Sequence, residues 1–94
     1  MATTRTLVKI NVLLKQIEPK VDSLLAEINS SYPNKNRIRI ECGSISVLMD
    51  EIMTIISSSG RSVFLAPYYF KGRKATLQEI SSQLAALIET AEKV

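Results

Sequence analysis

Arg37-Ile38-Arg39-Ile40-Glu41-Cys42 is the stretch on which the fold turns. Ile38, Ile40 and Cys42 alternate with Arg37, Arg39 and Glu41, the period of a half-buried strand with one packed face and one charged face. Gly43-Ser44 then turns the chain into a helix, capped by Ser44 or Ser46, whose Ile45, Leu48, Met49, Ile52, Ile55 and Ile56 make a wide apolar face. Ser57-Ser58-Ser59 and Gly60 close that helix, and Arg61-Ser62 supplies a turn. Val63-Phe64-Leu65-Ala66 reads as a second apolar strand, limited by Pro67. This order predicts a strand-helix-strand unit with a right-handed crossover.

On the amino-terminal side, Leu7, Ile10, Leu14, Ile17, Val21, Leu24 and Ile28 recur in steps of three and four, which predicts a helix with one apolar side. Pro19 interrupts it. A proline inside a helix removes an amide donor and clashes with the carbonyl four residues back, at a cost near 3 kcal/mol, so the helix is expected to kink or restart there. A competing reading makes residues 7–14 a strand, since Val8, Ile10, Val12 and Leu14 alternate with Lys9, Asn11 and Leu13. Pro33, within Ser30-Ser31-Tyr32-Pro33-Asn34-Lys35-Asn36, stops the helix.

On the carboxyl-terminal side, Tyr68-Tyr69-Phe70-Lys71-Gly72-Arg73-Lys74 is a basic aromatic segment. The capping box Thr76-Leu77-Gln78-Glu79 follows it and fixes the start of a last helix with Leu77, Ile80, Leu84, Leu87, Ile88, Ala91 and Val94 on one side. The expected fold is a compact α/β (or α+β) single domain over residues 1–94. It has a kinked or broken N-terminal helix, a strand-helix-strand unit and a C-terminal helix.

Composition narrows the function. The 94 residues suffice for one core, and the net charge of +3 with pI near 9.2 mildly favours an acidic partner without amounting to a polybasic tail. Cys42 is the single cysteine, so no internal disulfide forms, and the pattern suits a reducing, cytoplasmic setting. Met1-Ala2-Thr3-Thr4-Arg5 leads into Leu7-Val8-Lys9-Ile10-Asn11-Val12, whose polar interruptions leave no signal-peptide core, and no stretch approaches the roughly 20 apolar residues of a membrane span.

Catalytic chemistry finds little purchase. Cys42 before Gly43-Ser44 would sit near free amides at a helix start, but the chain has no histidine to activate it. Glu18 and Asp22, four apart, share one side of a helix, a spacing equally suited to a wet helix face. Ser57-Ser58-Ser59-Gly60-Arg61-Ser62 lacks the Gly-Lys-Ser/Thr ending of a phosphate loop. No His or Cys cluster supports zinc, and Glu41, Asp50 and Glu51 do not make a calcium loop. The expectation is a non-enzyme without cofactor or metal.

Two binding functions remain. The leading expectation is a small nucleic-acid-binding protein. Lys35, Arg37, Arg39, Lys71, Arg73 and Lys74 would contact the phosphates of DNA or RNA, and Tyr68 and Tyr69, with Phe70 next to them, would contact bases or close over the backbone. The alternative is a non-enzymatic assembly or adaptor protein that uses the apolar stripes of residues 7–28 and 77–94 to bind itself or another protein. Either reading accommodates a homodimer and neither involves a membrane.

Overall fold

Asn34 decides the structure of the deciding stretch. Its side-chain oxygen accepts from the amides of Asn36 (3.0 Å) and Arg37 (3.2 Å), which satisfies two donors that a helix start leaves open. A helix, α2, therefore begins at Lys35 and runs unbroken to Ser59. The strand expected over residues 37–42 does not form. The two-residue period that suggested it spans six residues, whereas a helical period runs through Ile38, Ile45 and Ile52, all buried. Full burial of each isoleucine is worth about 1.5–3 kcal/mol, against about 1 kcal/mol for keeping Gly43 in a helix interior. Ile40, expected beside Ile38, points to solvent instead.

The computed structural model describes residues 4–94, the side chains of Arg61 and Ser62 excepted, so the reading of Met1-Ala2-Thr3 lies outside the described residues. Helix α1, Thr4–Ile28, comes first and continues through Pro19 without a break, which removes both the restart and the strand reading of residues 7–14. Each of α1 and α2 has 25 residues, about 37 Å of helix, and they pack along one another as a helical hairpin. The loop between them is tied by Glu27, whose Oε1 accepts from the Asn34 amide at 2.8 Å.

Gly60 ends α2 in a backbone conformation of φ 95° and ψ 171°, its amide donating to the Ile56 carbonyl at 2.9 Å. A short helix α3, Arg61–Leu65, occupies the place of the expected turn and second strand, and its Val63 is fully buried. The strands lie later, within the basic aromatic segment itself. Strands β1 (Pro67–Phe70) and β2 (Arg73–Thr76) pair antiparallel, Pro67 opposite Thr76 and Phe70 opposite Arg73. Two residues join them, Lys71 (φ 53°) and Gly72 (φ 79°), both left-handed as a type I′ hairpin turn requires. Among the described residues the sheet is this one hairpin, so the strand-helix-strand unit with its parallel pair is replaced by four helices and an antiparallel hairpin.

Helix α4, Leu77–Glu92, starts where the capping box places it. The Glu79 amide donates to Thr76 Oγ1 at 3.2 Å and the Thr76 hydroxyl donates to Glu79 Oε1 at 3.3 Å. One apolar cluster joins the elements: Ile10, Leu14, Ile17, Val21 and Leu24 of α1, the three α2 isoleucines, Val63, Tyr68, Phe70, and Leu77, Ile80 and Leu84 of α4. The two stripes expected to recruit a partner thus supply the chain's own core.

Gly43 offers a clean check of the helical assignment. A methyl group placed on its Cα meets no atom within 4 Å, so Gly43→Ala gains helix propensity without a clash. The expected result is a stabilisation of about 1 kcal/mol in chemical denaturation, whereas a strand-ending turn at Gly43 would lose stability.

Candidate interaction surfaces

The eight residues proposed to contact nucleic acid are distributed over several surfaces. Arg37 and Arg39 are two residues apart on a helix, about 200° around its axis, so they flank α2 on different sides instead of sharing a strand face. Lys35 and Arg39, four apart, line a cavity of about 340 Å3 against Ala91, Glu92 and Val94 at the end of α4. Neither arginine pairs with Glu41, whose Oε2 is buried without a hydrogen-bond partner.

The strand register divides the second cluster. Residues directly opposite in an antiparallel pair share a face. Tyr68 and Ala75 therefore lie on the inner face of the hairpin with Phe70 and Arg73, while Tyr69 and Lys74 lie on the outer face. Tyr68 is a core residue whose hydroxyl donates to the Val63 carbonyl at 3.0 Å, and its burial pushes the phenol pKa up. Within the hairpin, Tyr69 and Lys74 are the exposed aromatic and cation that lie side by side.

Lys71 is held by acids. Its Nζ pairs with Asp22, and its amide donates to Glu18 Oε2 at 3.1 Å. The i,i+4 pair of carboxylates on α1 thus clamps the hairpin tip, which fixes a lysine in a left-handed conformation that usually favours asparagine or glycine. Arg73 is different. Among the described residues its guanidinium has no hydrogen-bond or ion-pair partner.

Beside Arg73 opens a groove of about 460 Å3 between the second half of α1, the hairpin and α4. Val21, Leu25, Phe70, Ala75, Leu84 and Leu87 give it an apolar lining, and Lys71, Arg73 and Gln83 are its polar members. Leu84 and Leu87 belong to the last helix's apolar stripe, but the groove is assembled from α1, the hairpin and α4 together, a tertiary feature without a local signal.

Cys42 lies about two turns inside α2. It is half-buried beside Lys35 and Arg39, and burial followed by the charges of Glu92 and Glu41 pushes its thiol above the ordinary range. That is opposite to the depression an activated thiolate needs. Among the described residues no group of His, Cys, Asp and Glu is arranged to hold a metal ion, and no helix is long and apolar enough to cross a membrane.

Comparison with protein-family models, curated proteins and solved structures gives no match.

Proposed function

We propose that the chain is a non-enzymatic assembly or adaptor protein that binds through apolar surface left over after its core has formed. The observation that carries this reading is the outer face of α2. Ile40 (66% exposed) and Val47 (60% exposed) lie seven residues apart, on the side opposite Ile38, Ile45 and Ile52. Isolated exposed aliphatics are ordinary, but two at heptad spacing on one helix, with an apolar groove elsewhere, suit helix-to-groove docking.

Sedimentation velocity over a hundredfold concentration range tests it, together with capture of partners on immobilised protein. Wild type is expected to self-associate or to retain a discrete partner, and Ile40→Lys combined with Val47→Lys is expected to abolish this with an unchanged circular-dichroism spectrum. A monomer that retains nothing, or a double variant that behaves as wild type, would sink the reading.

Nucleic-acid binding stands second, because its surface contracts to Tyr69 and Lys74 on the outside of the hairpin. Salt-dependent binding of single-stranded RNA or DNA, lost in Tyr69→Ala with Lys74→Ala, would restore it.

A further inference from the structure

The geometry points to a second copy of this chain as the occupant of the groove. In this arrangement Val47 of α2 enters the apolar lining and the Glu51 carboxylate meets the Arg73 guanidinium. The inference rests on the assembly reading and names its partner.

Charge selects the docking face. Two helices expose aliphatic pairs: α1 through Val8 and Val12, and α2 through Ile40 and Val47. The α1 pair sits among Arg5, Lys9 and Lys15, with no acid before Glu18, and would bring like charge against Arg73. The α2 pair has Arg37 and Arg39 beside Ile40 and Lys20 of α1 near Val47, but its Val47 end is followed by exposed Asp50 and Glu51, acids that the α1 pair lacks. The Glu51 carboxylate makes no hydrogen bond or ion pair among the described residues, and neither does the Arg73 guanidinium. Asp22 pairs with Lys71 and Glu18 accepts from the Lys71 amide, so neither carboxylate contacts Arg73, whose guanidinium lines the groove. A guanidinium in that position matches a carboxylate in a two-pronged geometry.

Spacing agrees with charge. Val47 and Glu51 are four residues apart on one side of α2, about 6 Å along the axis. The α1 wall of the groove runs from Val21 to Leu25 and the α4 wall from Gln83 to Leu87, each also a four-residue step of helix. Gly43, four residues before Val47, carries no side chain to hold the two surfaces apart. No α2 residue lines the groove, so the chain cannot satisfy it with its own α2 as folded.

The test uses the charge pair. Arg73→Glu and Glu51→Arg alter exposed side chains that have no partner among the described residues, so both variants should fold, which circular dichroism checks. By sedimentation velocity each variant alone is expected to associate at least tenfold more weakly than wild type. An equimolar mixture of the two should recover association, since the groove of the Glu51→Arg chain accepts the intact α2 face of the other. The inference is overturned if wild type self-associates and both variants match it, an outcome that leaves the assembly reading standing. It is also overturned if the variants are weakened but their mixture stays so. A wild type that is monomeric throughout removes the second copy as occupant and leaves the assembly reading to its heteromeric form.

Discussion

Ile45→Ala is expected to lower the free energy of unfolding by about 3 kcal/mol, as truncation of a fully buried isoleucine does. Ile45 is completely buried at the middle of α2, between Ile38 and Ile52 in the row that faces α1 and α4. Truncation removes the transfer free energy of three carbons and leaves a cavity whose walls belong to long helices that cannot easily collapse into it. A domain of this size holds roughly 5–15 kcal/mol in total, so the variant should unfold about 12–24 °C below wild type. Ile40→Ala is the internal control. Ile40 lies on the outside of α2, and its truncation should change stability by less than about 0.5 kcal/mol. A strand over residues 37–42 would place Ile38 and Ile40 on one packed face, so comparable losses from Ile38→Ala and Ile40→Ala would overturn the helix.

That contrast also explains how far the sequence could be read. The helical stripes of α1 and α4 were legible because each runs for four or more turns, and the strand reading of residues 7–14 covers only the first two turns of the α1 stripe. The capping box was legible because Thr76 and Glu79 act locally, one turn of helix being enough to bring them together. Residues 37–42 were misread because a short alternation of isoleucine and arginine satisfies a strand over six residues and a helix over twenty-five. The arbiter was Asn34, which sits in the segment that Pro33 marks as a helix stop. The same side-chain oxygen that suits a turn also caps a helix.

The hairpin shows the converse error. Tyr68-Tyr69-Phe70 followed by Lys71-Gly72 and Arg73-Lys74-Ala75-Thr76 has aromatic residues, a glycine at the second turn position and a four-residue return. Treating the positive charges as a loop surface hid that pattern. Pairing then settled the site, because it sent Tyr68 into the core and placed Arg73 and Lys74 on opposite faces. Charge counted along the chain is therefore a poor guide to a patch wherever a strand runs through it: neighbours in sequence point apart, while Phe70 and Arg73 share a face. The groove and the Glu18–Asp22 clamp lay beyond reach for a different reason, since both join residues about fifty positions apart.

Pro19→Ala is the second large effect, and its sign is opposite. Pro19 is exposed within α1, where it has no amide to donate to the Lys15 carbonyl and its ring crowds that turn. Proline is about 3 kcal/mol less favourable than alanine in a helix interior. Against this, alanine gives the unfolded chain more freedom, which returns roughly 0.4–1 kcal/mol to the unfolded state. The difference predicts a net stabilisation of about 2 kcal/mol, read as a rise of about 8–16 °C in the unfolding midpoint. Helix α1 tolerates the proline because Ile17 and Val21, on either side of it, are buried, and each contributes about 1.5–3 kcal/mol. Glu18 and Asp22 also bracket Pro19 and hold the hairpin tip through Lys71, so any backbone adjustment at the proline is transmitted to the clamp. If Pro19→Ala proves neutral or destabilising, the proline is setting the orientation of those two carboxylates. Asp22→Ala should then lose its effect in the Pro19→Ala background, whereas independent sites would add.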